Sequence, residues 1–280
     1  MLDLRSTETA LLADRHTFAV QAWLSSRASS AVSFDGHGIK VRSTGLGVPL
    51  LNLALGANFI NINDADIQSE IETVKTFFAA RRVPWYWWIS PFSSPADIGA
   101  RLEASGARYD PPDLPALVAP LPPRKTEVNP DLRVWQAGTR SDLEAASHIR
   151  RVAFKFPTGI GANYFEDMAE DWLRGDPAHL YLASVNDGPP AAIGTWIVAE
   201  GVPGGYVMAT LPEWRQHGLG GAILQRLLAD AAADGHQMIV LTASNMGEPL
   251  YRQYGFERVF EYLFYLPEQT AEDAETYIDD

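Results

Sequence analysis

The sequence predicts an α+β protein with two domains, and three observations lead to that prediction. Residues 131–267 contain, in order, a strand, two helices, three strands, a helix, a strand, a helix and a strand. A proline-rich strip interrupts the chain just before this series. The chain of 280 residues is long for one domain but sufficient for two of about 130 to 150 residues. We therefore expect a domain with a central mixed sheet, preceded by a smaller α/β domain.

The proline-rich strip sets the predicted domain limits. Helices cannot cross it, although its apolar centre at 116–119 is compatible with an edge strand. We place the boundary at about residues 124 to 130, which gives an N-terminal domain at 1–124 and a C-terminal domain at 131–267. Residues 268–280 contain several acidic side chains and no basic one. They predict a solvated acidic tail.

Composition excludes several classes of protein. The chain has no cysteine, which rules out disulfides, thiolate catalysis and cysteine-based zinc sites. Its formal charge of −13 argues against nucleic-acid binding and mildly favours a cationic substrate. The histidines lack the spacing of metal ligands, so we expect no metal. Since the chain shows neither a signal-like start nor a long apolar run, we expect a cytoplasmic protein with no membrane partner.

Periodicity places each element of the C-terminal domain. Ser141 and Asp142 predict the cap of its first helix. A second helix is expected because Phe165, Met168 and Trp172 are spaced for burial on one face. The predicted strands are 132–136, 179–185, 191–200, 206–211, 238–241 and 259–266, and the predicted helices are 141–153, 163–173, 218–233 and 247–254.

The N-terminal half gives fewer signals. It predicts helices at 8–27, 65–81 and 95–105 and a strand at 85–89. The four aromatic residues Trp85 to Trp88 alternate between both faces of this strand, so we expect one pair in the core and the other against a domain or a partner. Residues 102–122 parallel residues 251–267, since each segment is a helix ending in Gly followed by a strand ending in Leu-Pro. This similarity suggests a duplicated fold.

The segment from Thr210 to Leu224 predicts a binding site for a phosphate or pyrophosphate. A strand ends there, a loop with glycines follows, and an amphipathic helix begins. Gly218, Gly220 and Gly221 let an anion approach the backbone, and the free N–H groups of the first helical turn attract it. Alternatively, these glycines only allow the helix to pack closely on the sheet. Their spacing matches neither a dinucleotide fold nor a nucleotide P-loop.

Two motifs in this half resemble a known family. The pattern Arg215-x-x-Gly218-x-Gly220 resembles the CoA-pyrophosphate signature of the GNAT superfamily of N-acetyltransferases. About thirty residues later, the segment from Leu250 to Phe256 resembles the family's second signature, Leu-Tyr-x-x-x-Gly-Phe. The resemblance covers roughly residues 131 to 267 and is strong over 206 to 256.

The resemblance implies a fold and an activity. It implies the GNAT acyl-CoA N-acyltransferase fold, with acetyl-CoA as cosubstrate and transfer of the acetyl group to a primary amine by direct attack. The expected acceptor is a small-molecule amine. Residues 1–124 would form a degenerate GNAT-like domain, as in tandem members, because they lack the glycine signature and Leu102 replaces the tyrosine. An alternative is a CoA-binding or regulatory module without turnover, and a third is a scaffold that binds a protein through Trp85 to Trp88.

The resemblance also implies roles for individual residues. Backbone groups of Met208, Ala209 and Thr210 would hold the acyl-pantetheine arm, with the Met208 N–H stabilising the oxyanion. Tyr251 would protonate the leaving thiolate. The pyrophosphate would lie on Arg215, Gln216, His217, Gly218, Leu219, Gly220 and Gly221.

Three roles remain open in the sequence. Many members have a cofactor-binding Asn seven residues before the tyrosine, where this chain has Ser244, followed by Asn245. Some members have a glutamate as general base, and this chain has Gly204 at that position. Glu200, at the end of the preceding strand, is the remaining candidate for the base. No base is therefore assigned. Residues 154–168 would shape the acceptor pocket as a mobile aromatic loop, or their phenylalanines are simply core. The sequence leaves open whether the chain forms a homodimer.

Overall fold

A computed structural model describes residues 3–28, 30–123, 129–157, 159 and 163–267. The chain forms two compact units. The larger unit contains the chain up to Val20 together with Ala116–Val259, and the smaller unit contains Gln21–Pro115 and the chain from Phe260 onwards. Among the described residues, no helix has the length and apolar composition that crossing a bilayer requires.

The two units do not test the predicted domain limits or the predicted tail. The units group residues by contact, and the division into domains at 1–124 and 131–267 stays a prediction. Most of the predicted boundary, at 124–128, lies outside the described residues. The predicted acidic tail at 268–280 also lies outside them.

The larger unit contains most of the elements predicted for the C-terminal half. Its elements are α1 (Thr7–Ser25), which begins in this unit, β6 (Leu114–Pro120), β7 (Leu132–Gln136), α4 (Arg140–Ala153), α5 (Ala169–Arg174), β8 (Ala178–Val185), β9 (Ala192–Ala199), β10 (Val202–Thr210), α6 (Leu219–Ala233), β11 (Met238–Thr242) and α7 (Glu248–Gln253). Their strands pair in the order β7-β8-β9-β10-β11-β6. Only the pair β10–β11 is parallel, so the predicted mixed sheet is confirmed.

One hydrophobic core holds α6 against this sheet. Leu224 and Leu228 of α6 pack with Leu117 of β6 and Leu241 of β11, and each is at most 2% exposed. Burying a leucine side chain stabilises the fold by about 2 kcal/mol, so this cluster holds α6 on the sheet. The expected edge strand at 116–119 is instead a buried strand paired with β11, since none of its residues is more than 2% exposed.

Two details of the α4–α5 region differ from the sequence prediction. The cap of α4 is Thr139 rather than Ser141, because the Thr139 hydroxyl accepts from the Asp142 N–H while the Asp142 carboxylate accepts from the Thr139 N–H. Helix α5 is shorter than predicted and begins at Ala169, because the residues from Asn163 form single turns instead.

The smaller unit is a second mixed sheet with two helices. Its elements are β1 (Val32–Asp35), β2 (Lys40–Ser43), β3 (Asn52–Leu55), α2 (Asp64–Arg81), β4 (Tyr86–Ile89), α3 (Ile98–Ala104), β5 (Ala107–Tyr109) and β12 (Glu257–Pro267), which begins in the larger unit. Its strands pair in the order β1-β2-β3-β4-β12-β5. The sequence predicted α2, α3, β4 and β12 but missed β1 to β3, because four-residue strands show too little periodicity.

The aromatic run of β4 is buried on both faces. Trp85 and Trp87 lie in the core formed with α2, while Trp88 packs edge-on against Phe264 of β12 at 4.8 Å. None of the four aromatic residues is more than 4% exposed. The partner surface inferred from this run is therefore wrong, and with it the scaffold reading.

The repeat-like segments share their local structure. Helix α3 ends before Gly106 and helix α7 before Gly255, and both glycines have positive φ, 82° and 89°. A strand follows each glycine, although the first segment divides into β5 and β6 where the second is the single strand β12. The local pattern is confirmed, and duplication of a whole domain stays a prediction.

Helix α1 is anchored in the larger unit by a buried histidine. His16 Nδ1 lies 2.9 Å from the Tyr206 hydroxyl, and Nε2 lies 3.3 Å from the Ile197 carbonyl oxygen. Because a carbonyl only accepts, Nε2 carries the proton and Nδ1 accepts from Tyr206. The side chain is fully buried, and this burial lowers the pKa of His16 to about 4 despite the hydrogen bonds to backbone carbonyls, which raise it.

The lowered pKa predicts a pH-dependent stability. Between about pH 6.5 and 4 the unfolded chain binds a proton at His16 that the folded chain does not, so stability is present above this window and is lost as pH falls through it. The full effect is roughly 3 kcal/mol. We expect His16→Phe to be less stable at pH 7 but to lose less stability between pH 7 and pH 4.5, measured by urea unfolding. The exposed His148→Phe is the control, and equal pH dependence in His16→Phe and wild type would contradict the assignment.

Candidate active site

Strand β10 parts from β11 halfway along its length. Among the described residues, only Gly204 and Gly205 of β10 pair with β11, opposite Val240 and Leu241. The remaining residues of β10, from Tyr206 to Thr210, therefore have no paired residue on that side within the described part of the chain. Exposed strand backbone of this kind is where an extended ligand adds as a further strand.

A β-bulge lies at the same point of β10. Tyr206 pairs with Thr195 of β9, but the next pair is Ala209 with Ile193, so two residues of β10 face one residue of β9. The bulge includes Val207, whose φ of 49° is in the left-handed region. Such a bulge redirects the backbone N–H groups, and Met208 is one of the two residues that it displaces.

The Met208 side chain is accommodated by a glycine on β9. A Cβ atom at Gly194 would lie 2.3 Å from Met208 Sδ and 2.6 Å from Ile223 Cγ2 of α6. No other residue fits there without moving Met208 or α6. Gly194 therefore lets the Met208 side chain lie between β9 and α6, while its backbone stays in the bulge.

The loop after β10 turns through two left-handed residues before α6. Gln216 has φ 65° and Gly218 has φ 84°, and Gly218 is the N-cap of α6 without a side-chain cap. The first-turn N–H groups, from Leu219 to Gly221, precede the first intrahelical bond, which Ala222 donates to the Gly218 carbonyl. An uncapped helix start on such a turn provides backbone donors for an anion.

The three glycines of this loop serve different purposes. Gly218 is required by its positive φ. A Cβ at Gly221 would lie 3.1 Å from the Tyr254 hydroxyl, which donates to the Gly221 carbonyl, so this glycine supports packing. A Cβ at Gly220 would meet only ordinary contacts, the nearest at 3.5 Å. Packing therefore explains Gly221 but not Gly220.

Three elements meet at Gly220. The two atoms nearest to its ideal Cβ are Leu250 Cδ2 of α7, at 3.5 Å, and Thr210 Oγ1 at the end of β10, at 4.0 Å. Tyr251 follows Leu250 directly in α7. The structure thus brings together the end of the parted strand, the start of α6 and the helix of the second motif.

Tyr251 is a buried tyrosine whose hydroxyl has no hydrogen-bond partner among the described residues. Its side chain is 6% exposed and packs with Met208, Leu241 and the edge of Phe256. Burial raises the pKa of Tyr251 far above its ordinary value, so it stays protonated near neutral pH. By contrast, the buried Tyr181 hydroxyl is fixed by the Asp230 carboxylate at 2.6 Å.

The two candidates for the cofactor-binding Asn position differ in their contacts. The Ser244 hydroxyl accepts from the Gly247 N–H at 3.2 Å, and its carbonyl accepts from Glu248, so Ser244 builds the turn into α7. Asn245 is exposed, and its side chain makes no hydrogen bond to the described residues. Asn245 therefore keeps its amide free for a ligand, whereas Ser244 has a structural role.

The geometry removes one candidate for the base. Glu200 lies in the turn that joins β9 to β10, paired with Arg15 at 3.5 Å. Six residues of extended strand separate this end of β10 from Met208, which is about 20 Å. A Cβ at Gly204 would lie 2.2 Å from the His16 ring, so that position is filled from α1.

No base is identified among the described residues, and no three of their His, Asp or Glu side chains cluster as metal ligands would.

The predicted acceptor segment is partly core and contains one residue that the sequence analysis missed. Phe165 is fully buried and Phe156 is 8% exposed, so the core interpretation holds for both, while Phe154 is half-buried and stacks on Phe156. The expected mobile glycine loop falls mainly on 158 and 160–162, outside the described residues. The missed residue is Arg150, which is only 5% exposed. The only indication in the sequence that Arg150 is buried is its position directly after Ile149, a residue of the buried face of α4.

Comparisons with known proteins agree with this geometry. Residues 176–258 match the family model of the acetyltransferase (GNAT) domain, a range that includes β10, the glycine loop and α7. The chain matches no curated protein in sequence.

Solved structures show the same fold over most of the chain. A GCN5-related N-acetyltransferase from Kribbella flavida is 18% identical with a TM-score of 0.69, covering 90% of this chain and 95% of its own. A GCN5-related N-acetyltransferase from Sphaerobacter thermophilus is 16% identical with a TM-score of 0.63, covering 84% and 75%. A functionally unknown conserved protein from Staphylococcus epidermidis is 13% identical with a TM-score of 0.60, covering 84% and 92%.

The family match and the fold agree with each other. The match falls on the half of the chain whose element order and two motifs predicted the family, and the structural similarity confirms the fold. Residues 176–258 therefore match the acetyltransferase (GNAT) domain, and the chain has the fold of the solved N-acetyltransferases that it resembles.

Proposed function

We propose that this protein transfers the acetyl group of acetyl-CoA to a primary amine of a small-molecule acceptor. The observation that supports this most is the meeting of Thr210, Gly220 and Leu250 beside the parted end of β10. A strand edge for an extended amide-containing arm, backbone donors for a pyrophosphate and a buried proton donor then lie next to one another. An acyl-CoA thioester needs these three features together.

Each part of the cosubstrate has a place in this proposal. The acyl-pantetheine arm pairs with the backbone of Met208, Ala209 and Thr210. The pyrophosphate lies on the backbone from Arg215 to Gly221. Asn245 contacts the cofactor in preference to Ser244, because its amide is free.

The reaction is a direct displacement. The neutral amine attacks the thioester carbonyl carbon, a C–N bond forms, and the Met208 N–H stabilises the oxyanion. The C–S bond then breaks, and the thiolate takes a proton from Tyr251. The attacking nitrogen loses its extra proton to water, since no base near β10 is found among the described residues. A proton from water then restores Tyr251.

A second candidate function follows from the missing base. With Gly204 packed on His16, the position of the family's glutamate has no titratable group of its own. A CoA-binding module without turnover would also fit this arrangement. Residues 1–124 are, in either case, proposed to be a degenerate GNAT-like domain without its own cofactor signature.

The first test measures free CoA released from acetyl-CoA in the presence of a panel of amines, amino acids and aminoglycosides. We expect release that depends on the acceptor. Tyr251→Phe should lower turnover roughly 100-fold without changing the Kd of acetyl-CoA, because only a proton donor is lost. Tyr181→Phe, which removes another buried hydroxyl, should keep its activity.

The outcomes separate the two candidate functions. Binding of acetyl-CoA with no acceptor-dependent release would favour the module over the enzyme. Equal turnover of Tyr251→Phe and wild type at every pH would remove Tyr251 from the mechanism.

A change at Gly220 tests the pyrophosphate position. We expect Gly220→Asp to lose acetyl-CoA binding, because a carboxylate would lie where a phosphate must bind. Gly220→Ala should fold and bind far better, since its Cβ meets only ordinary contacts. Aspartate in the first turn of a helix is favourable for folding, so the loss cannot be ascribed to instability. Isothermal titration of the two variants gives the answer, and equal affinities would place the pyrophosphate elsewhere.

A further inference from the structure

The larger unit buries an arginine that has no ion-pair partner in the part of the chain that the structure describes. Arg150 lies in the last turn of α4 and is 5% exposed, and its Nη1 is buried with no hydrogen-bond partner. No acidic side chain among the described residues forms an ion pair with it. Burial disfavours the charged form and lowers the pKa of Arg150, but an arginine remains charged in a protein. A buried charge left in this way is expensive unless something pairs with it.

Two aromatic rings hold the guanidinium in place. The Arg150 Cζ atom lies 3.8 Å from the centre of the Tyr164 ring and 4.6 Å from that of Phe156. Cation–π contacts of this kind contribute about 2 kcal/mol each when desolvated, which offsets only part of the burial. The rings supply no oxygen acceptor for the guanidinium N–H groups, so the buried Nη1 still lacks a hydrogen-bond partner.

The carboxylate of Glu166, two residues after Tyr164, pairs with α4 elsewhere. Glu166 accepts a hydrogen bond from the Ser147 hydroxyl, one turn before Arg150 on α4, and Ser147 in turn accepts from the Phe165 N–H. This contact fixes the segment that carries Tyr164 against α4. Ser147 and Glu166 therefore hold the segment of Tyr164 in place, and neither forms a hydrogen bond or ion pair with Arg150 among the described residues.

We infer that Arg150 binds an acidic group of the acceptor, and that the acceptor is an amine that also carries a carboxylate. The inference rests on the proposed function and names its substrate class. Helix α4 packs against β9 and β10, the strands that form the bulge around Met208, and Arg150 lies where α4 leads into the predicted acceptor segment. A planar guanidinium edge matches the two oxygens of a carboxylate.

The overall charge of the protein is compatible with a zwitterionic ligand whose acidic end meets a local cation. At −13 the protein repels anions at long range, while the acceptor's ammonium group is attracted. A zwitterionic acceptor has little net charge to repel. Arg150, in a site shielded from water, then supplies the one strong local interaction for its acidic end.

Matched pairs of acceptors test the inference. Each α-amino acid is compared with the amine that lacks its carboxylate, and phosphoethanolamine with ethanolamine, in the CoA-release assay. We expect kcat/KM to be about 100-fold higher for the carboxylate member of a pair. Arg150→Gln should abolish this preference and leave the amine member unchanged, whereas Arg151→Gln, the next residue on α4, should keep it. If only phosphoethanolamine is preferred over its partner amine, Arg150 binds a phosphate and not a carboxylate, which would contradict the inference.

A binding experiment keeps the test independent of turnover. With CoA present, N-acetylamino acids should bind to wild type more tightly than the corresponding acetylated amines, and Arg150→Gln should lose the difference. The Kd of acetyl-CoA should be the same in both proteins, and a parallel loss would assign Arg150 to the cofactor. If acetyl-CoA binds but no carboxylate compound binds or reacts, the inference fails while the CoA site stands. If acetyl-CoA does not bind, the proposed function itself fails.

Thermal melting distinguishes ligand binding from a purely structural role. A charge without a partner destabilises the fold, so Arg150→Met should melt no lower than wild type in the absence of acceptor. A carboxylate acceptor should then raise the melting temperature of wild type and not that of the variant. A large drop for Arg150→Met alone, with no carboxylate effect on wild type, would overturn the inference.

Discussion

The parting of β10 from β11 after Gly205 is the constraint on which the candidate site depends. A parallel pair that continued to Thr210 would satisfy the backbone groups that a pantetheine arm is proposed to use. The bulge at Val207 and Met208 turns β10 away at this point, and it is possible only because Gly194 opposite leaves room for the Met208 side chain. Helix α6 is then fixed beside the opening by its leucines, so that its uncapped start faces the same end of β10.

The glycine loop shows how packing and binding divide one short motif. Gly218 makes the turn, and Gly221 gives space to the Tyr254 hydroxyl. A side chain at Gly220, by contrast, would meet only ordinary contacts. The packing interpretation of the sequence thus holds for Gly221, and the ligand interpretation stays a prediction that Gly220 leaves open. Gly220 also lies nearest to Thr210 and Leu250, so the glycine that packing does not explain is the one at the centre of the site.

Much of the fold could be predicted because its signals are local. The periodicity of α6 and the continuous apolar run of β11 are properties of their own residues, and both elements were placed within a residue or two. The cap of α4 was misplaced from Thr139 to Ser141, since both are good capping residues and only the Asp142 geometry decides between them. Strands β1 to β3 were missed because pairing in space, and not local pattern, defines such short elements.

The geometry of the candidate site was predictable where it depends on local backbone and not where it depends on distant side chains. The glycine loop and Tyr251 followed from motif spacing. The packing of His16 on Gly204 joins residues nearly two hundred positions apart, so no local pattern could reveal it. Arg150 was missed for a related reason, because an arginine on a helix normally reaches solvent and its burial is known only from the fold.

The most direct test of the account is hydrogen–deuterium exchange of the backbone amides with and without acetyl-CoA. We expect the amides of Met208 to Thr210 and of Gln216 to Gly221 to exchange more slowly in the complex, both groups at the same acetyl-CoA concentration. Protection of some other segment, with these two groups unchanged, would contradict the central claim that the parted strand and the start of α6 together bind the cosubstrate.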